Sequence, residues 1–183
     1  FLMDYRKKKL IITVALTGNV PTKEMNPNTP ITVEEIVDDI IKCREIGASI
    51  AHIHVRDKEG KPTCDREIYK EVLDELEKRN CDIITQLSTG ARGGGNTAEW
   101  RGQMLDLNAE MASLSTGSSN FPSQVNANSF ELIEELASKM YVNNIKPEIE
   151  AFDLGMIDNA KYLVKKGILK PPLHFNLVMN VRG

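Results

Sequence analysis

Cysteine is scarce in this sequence, histidine equally so, and no apolar run is long. The three cysteines, Cys43, Cys64 and Cys81, are odd in number and form no C-x-x-C pair. That argues against a disulfide framework and against a cysteine-based zinc site, and it leaves free thiols in a reducing cytoplasm as the expectation. No hydrophobic stretch approaches the ~20 residues that span a bilayer. Arg6-Lys7-Lys8-Lys9 followed by Leu10 to Leu16 has the outline of a signal peptide, but the apolar run is short, contains Thr13 and lacks a small-residue cleavage site. It reads better as a first β-strand. A net charge of -3 leaves no basic excess to mark a nucleic-acid or anionic-membrane surface. Repeats, linkers and low-complexity segments are also missing, so residues 1–183 read as one domain, long enough to bury its own core.

Against this plain background one stretch stands out: Ala51-His52-Ile53-His54-Val55-Arg56-Asp57 holds two of the three histidines. Ser49 to Val55 is short, apolar and partly β-branched, and Lys58-Glu59-Gly60 signals a turn. Side chains alternate along a strand, so His52 and His54 project from one face, about 6.5–7 Å apart along the strand. Two imidazoles so placed can converge on one metal ion at roughly 2.0–2.1 Å each. The competing reading is a pair of buried histidines bonded to neighbours; at a strand end running into Arg-Asp, the metal site is preferred.

The rest of the chain alternates strand and helix. Leu10 to Leu16 is predicted as a buried strand ending in Thr17-Gly18, with a Pro/Asn-rich loop from Pro21 to Pro30. Thr32 and Glu35 form a capping box for a helix to about Ile46, closed by Gly47. After the histidine strand, Asp65 caps a helix with Ile68, Val72, Leu73 and Leu76 in phase. Asp82 to Leu87 is a third strand, followed by Ser88-Thr89 and a Gly-rich loop, Gly90 to Gly95, and a helix near Thr97 to Leu107. Met111 to Leu114 is a fourth strand. Asn128 or Ser129 opens a helix through about Tyr141. Pro147 to Phe152, a helix from Met156 to Lys166, and Leu173 to Met179 complete the pattern. This is α/β with a parallel sheet. A doubly wound sheet and a (β/α)8 barrel both fit. Polar residues gather at the ends of five successive strands, as in barrel enzymes, yet six strands and 183 residues fall short of the eight strands and roughly 250 residues of a complete barrel. The expectation is that further residues follow Gly183, since a six-stranded barrel would leave open edges.

Glu148 and Glu150 alternate to one face of the fifth strand, where two carboxylates call for a cation or donors; a metal or proton-transfer role is preferred over a solvated face. The Gly-rich loop matches neither G-x-G-x-x-G nor a P-loop, and its amides either cradle a phosphate or hold no ligand; Arg92 within it is an anion candidate. Ser115-Thr116-Gly117-Ser118 is a weak signal, because strand-end hydroxyls usually cap turns. His174 reads as a core or interface histidine, with Asn176 on its face and within reach of the site.

Taken together, Val14-Ala15-Leu16-Thr17-Gly18, Pro21-Thr22-Lys23, His52 to Asp57, Gln86-Leu87-Ser88-Thr89-Gly90, Glu110 to Leu114, Thr116-Gly117-Ser118, Lys146 to Asp153 and Lys170-Pro171-Pro172-Leu173 resemble the β-keto acid cleavage enzyme family along nearly the whole chain. The resemblance implies a (β/α)8 TIM barrel, of which this chain covers about the first six strands, one Zn2+ and acetyl-CoA as co-substrate. It implies that a β-keto acid such as 3-keto-5-aminohexanoate, from lysine fermentation, and acetyl-CoA give acetoacetate and a new CoA ester. It implies zinc on His52 and His54. Ser88, Glu148 and Glu150 become catalytic candidates, and Thr17, Arg56, Thr89, Gly90, Thr116, Gly117 and Asn176 substrate-binding ones. The family's third zinc ligand, a late-strand glutamate, and its late arginine and aspartate have no counterpart motif here. A cytoplasmic homotetramer is also implied. The alternative is a metal-dependent hydrolase on a TIM barrel, which would recruit further histidines where only His174 remains; a non-enzymatic binding protein is the third reading.

Overall fold

In the computed structural model, residues 9–90, 94–121 and 124–180 are described. In chain order the elements are β1 (Thr13–Ala15), α1 (Val33–Glu45), β2 (Ile50–Ile53), β3 (Val55–Arg56), β4 (Pro62–Thr63), α2 (Arg66–Lys78), β5 (Ile84–Leu87), α3 (Ala98–Arg101), β6 (Met111–Ser115), β7 (Ser119–Phe121), β8 (Gln124–Asn126), α4 (Phe130–Val142), β9 (Lys146–Ala151), α5 (Leu154–Lys165) and β10 (His174–Leu177). Local signals set the helix starts. Thr32 and Glu35 form a reciprocal capping box on α1, and Asp65, Ser129 and Asp153 each cap the helix that follows. Gly47 and Gly167 follow α1 and α5 at φ of 110° and 77°, backbone that side chains with a Cβ rarely adopt.

Six parallel strands form one sheet in the order β1-β2-β5-β6-β9-β10. Each strand lies beside the next one along the chain. A doubly wound sheet reverses its strand order midway; this sheet never does, and it is a barrel wall of six strands. The helices cover its outer side. Ile36, Val37 and Ile40 of α1, Tyr69, Val72 and Leu76 of α2, Leu136, Ala137 and Met140 of α4, and Ala160 and Leu163 of α5 pack in one core with Ala51, Ile53, Leu87, Ala112, Leu114 and Ile149 from the strands. At about 25 cal/mol per Å2 of apolar surface, this outer layer supplies most of the folding drive.

The pairing register puts the polar residues on the other side. His52 pairs with Gln86, Ser113 with Glu148, Ser115 with Glu150, and these two glutamates with His174 and Asn176. Neighbours in register share a face, so all of them line the concave inner surface.

Four local expectations change. The first strand is three residues long and not buried: Leu10, Ile11 and Ile12 are exposed, because β1 is an edge with only β2 beside it. The histidine strand ends at Ile53; His54 stands outside it, and Val55-Arg56 turn away to pair with Pro62-Thr63. The third helix has four residues, stopping at Gly102, where an added Cβ would lie 2.8 Å from the Ala98 carbonyl. A second hairpin, β7–β8, rises between β6 and α4.

Candidate active site

The strand break places the two imidazoles face to edge. Their ring centroids are 4.9 Å apart at 64°, and His52 Nε2 is 3.0 Å from His54 Nε2. Each ring is held from behind by an amide: His52 Nδ1 lies 2.5 Å from Gln86 Oε1, and His54 Nδ1 lies 3.1 Å from Asn19 Oδ1. Burial pushes the pKa of His54 well below the usual 6.5, with His52 and Arg56 adding to it, so its ring is neutral, the form that ligates metals.

Glu148 and Glu150 face the pair across the inner surface. Glu148 is 2% exposed; its Oε2 lies 3.2 Å from His174 Nε2, while its Oε1 is buried with no hydrogen-bond partner. Burial pushes the Glu150 carboxyl up, opposed by His52 and reinforced by Glu148, and its Oε2 accepts from Ser115 Oγ at 3.1 Å. One ligand atom each from His52, Glu148 and Glu150 lie within 4.8 Å of one another. Ligands at about 2.0–2.2 Å around a tetrahedral ion stand roughly 3.3–3.6 Å apart. The histidine nitrogens already approach that spacing, and the orphaned Glu148 oxygen is the acceptor such an ion would satisfy. His52, Glu148 and Glu150 thus offer a donor set that fits a metal ion, with His54 Nε2 against His52.

Two cavities meet here. One of about 560 Å3 runs along the inner face past His52, Glu148, His174 and Asn176; one of about 220 Å3 opens at the C-terminal mouth past Ser88, Thr89, Gly90 and Arg101. His54, Glu150 and Phe152 belong to both. Ser88 Oγ accepts from the Gly90 amide at 3.2 Å, leaving its own hydrogen free to donate into the mouth. Thr89 is locked to Ser113, its hydroxyl donating to the carbonyl at 2.8 Å.

Of the residues named from sequence, His52, His54, Ser88, Thr89, Gly90, Glu148, Glu150 and Asn176 line these cavities. Four others act as staples. Thr17 donates to the Pro30 carbonyl at 3.0 Å, and Thr116 to that of Met156 at 2.8 Å. Arg56 donates to the carbonyls of Gly18, Pro21 and Gly60. Gly117 accepts from Asn128 and packs tightly, since an added Cβ would meet Met156 Cγ at 3.0 Å and that side chain would have to shift. Arg92 lies outside the described residues. His174 belongs to the inner face, against the core or interface position expected for it, because its register partner is Glu148. Arg101 and Asn19 carry no sequence signal of their own, and Gln86 enters only as the first residue of the Gln86-to-Gly90 motif, with no role assigned to it. Arg101 is 1% exposed and donates to Thr89 O, Asn96 Oδ1 and Ala127 O, tying the two ends of the β5–α3 connection to the loop before α4.

Comparison with known proteins places this geometry in context. A family model described as beta-keto acid cleavage enzyme matches residues 9–183. The 3-keto-5-aminohexanoate cleavage enzyme of Acetoanaerobium sticklandii is 45% identical over 177 residues, covering 96% of this chain and 64% of that protein. The 3-oxoadipate:acetyl-CoA acetyltransferase of Cupriavidus necator is 44% identical over 173 residues, 94% of this chain and 60% of that protein. The chain thus spans less than two thirds of the length of either relative. Among solved structures, a ternary complex of ObcA with C4-CoA adduct and oxalate superposes with a TM-score of 0.78 at 25% identity, over 85% of this chain and 38% of that one.

Proposed function

Because the chain belongs to the beta-keto acid cleavage enzyme family, we propose that the protein carrying it exchanges acyl groups between a β-keto acid and acetyl-CoA. The acetyl group moves to the α-carbon of the β-keto acid, the bond between that carbon and the original keto carbon breaks, and the acyl fragment leaves on CoA. The products are acetoacetate and a new CoA ester, and no redox partner is needed. Substrates of the 3-keto-5-aminohexanoate and 3-oxoadipate type follow from the names of the two relatives. The observation that carries the reading is that the His52–His54 pair, Glu150 and Ser88 meet where the inner cavity joins the mouth.

His52 and His54 would hold zinc, with Glu148 or Glu150 beside them. The chemistry zinc supplies when bound is Lewis-acid polarisation of the keto oxygen, which acidifies the α-carbon. Ser88 donates its free hydroxyl hydrogen to a keto or thioester oxygen, where negative charge develops. Glu150, open to both cavities, meets a polar group of the substrate. Glu148 is held by His174 through Oε2, and its Oε1 is unpartnered among the described residues. Asn176 lines the inner cavity at the Glu150 level. A homotetrameric, cytoplasmic protein completes the proposal; light scattering giving a clean monomer mass at micromolar concentration defeats the assembly part. The activity is tested by assaying acetoacetate from acetyl-CoA and a panel of β-keto acids with the full-length protein. Formation dependent on both substrates is the expected result, and none above the enzyme-free control with any of them rejects the reading.

A further inference from the structure

We infer that Gln86 and Asn19 are positioning residues that fix the tautomers of His52 and His54, so that both Nε2 lone pairs converge on one point. The inference rests on the metal reading above and adds the residues that prepare the ligands.

A hydrogen must lie between His52 Nδ1 and Gln86 Oε1, because two bare acceptors cannot sit 2.5 Å apart. The same holds at 3.1 Å for His54 Nδ1 and Asn19 Oδ1. Each amide oxygen therefore claims the Nδ1–H of its ring. A neutral imidazole with its hydrogen on Nδ1 has a bare Nε2. The two Nε2 atoms face each other at 3.0 Å, a contact that by the same rule needs a shared hydrogen or a cation between them; a metal ion takes that place with both lone pairs directed at it. Gln86 is fully buried, is the register partner of His52 on β5, and among the described residues makes its side-chain hydrogen bond to the ring alone: its Nε2 is buried without a partner. A purely space-filling residue would be apolar there, since an unpaired buried amide costs about 1–3 kcal/mol. Asn19 leans on Gly90, where an added Cβ would stand 2.9 Å from Asn19 Nδ2. Gly90 thus makes room for the amide that orients His54. Outer partners of this kind typically change metal affinity by 10–100-fold.

The test has two arms on the full-length protein. In the metal-free wild type, long-range proton–nitrogen NMR of the histidine rings reports which nitrogen carries the hydrogen. Hydrogen on Nδ1 of both rings is expected, with at most one further hydrogen shared between the Nε2 atoms; a bare Nδ1 on either ring overturns the inference without any variant having to fold. In the second arm, zinc affinity is measured by competition with a chromophoric chelator, and cobalt(II) substitution reports the ligand field. Gln86→Leu and Asn19→Leu are expected to weaken zinc 10–100-fold and to alter the cobalt visible bands. Gln86→Glu and Asn19→Asp, which keep an acceptor oxygen, hold the affinity within a few-fold. Zinc affinity unchanged in Gln86→Leu and Asn19→Leu overturns the amide roles while the metal reading stands. A wild type that binds neither metal overturns both.

Discussion

At the scale of single residues, the site consists of ordinary side chains in demanding places. His52 and His54 differ in backbone setting, one in β2 and the other just past its end, and that difference turns two same-side neighbours into a converging pair. Replacing either with Ala removes one of at most four tetrahedral ligands and is expected to abolish zinc binding and turnover. Elemental analysis that finds full zinc in the double variant contradicts the assignment. Arg101 is the costliest side chain to remove for a different reason. Its guanidinium, itself 1% exposed, serves three acceptors on two loops. Arg101→Met keeps most of the volume and strands those acceptors, so a loss of at least about 2 kcal/mol is expected in chemical denaturation.

At the scale of elements, α1 shows how much one helix start can hold. Glu35 accepts from the amides of Ile31 and Thr32, and Lys23 reaches it at 2.6 Å. The Lys23 bond chiefly, with the two amides, lowers its carboxyl pKa from 4.5 to about 2. A carboxylate that loses its proton more easily when folded stabilises the fold above the unfolded value, and that contribution fades as pH falls from about 4.5 towards 2. The group is 39% exposed, so solvent screening keeps the benefit below about 1 kcal/mol. Glu35→Gln is expected to be less stable than the parent at pH 7 and equal to it near pH 2, as followed by urea melts across that range. This start was legible, since Thr32 and Glu35 carry the spacing on their own. So were the paired faces of His52/His54 and Glu148/Glu150, which follow from a two-residue period; the strand order of the barrel wall follows only from the family resemblance, since the pattern alone also fits a doubly wound sheet. The break at His54 was not legible: it depends on Val55-Arg56 finding Pro62-Thr63 after a turn. Nor were the roles of Gln86, Asn19 and Arg101, which come from register between strands and from loops meeting at the mouth, contacts that no local pattern encodes; Gln86 itself stands in a quoted motif that assigns it no role. Thr17, Arg56, Thr116 and Gly117 enter as substrate-binding candidates through the resemblance; in the structure Thr17, Arg56 and Thr116 donate to backbone carbonyls and Gly117 packs against Met156.

At the scale of the molecule, the wall of six strands has two free edges, β1 and β10. Leu10, Ile11 and Ile12 flank one edge in the open, and Phe175, Leu177 and Met179 the other. Such edges pair readily with another chain. The 183-residue chain expressed by itself is therefore expected to self-associate, and Ile11→Lys with Leu177→Lys to reduce it; light scattering showing a monodisperse monomer without those changes contradicts the expectation. The segment from Thr17 to Thr32 has a different bearing on the whole. Asn19 grips a histidine, the carbonyls of Gly18 and Pro21 hold Arg56, and Pro30 receives Thr17. Surface connections normally gain and lose residues freely over evolutionary time. This one is fastened at so many points that an insertion or deletion between Gly18 and Pro30 would misplace a ligand as well as a loop. Among natural variants its length should drift far less than its composition.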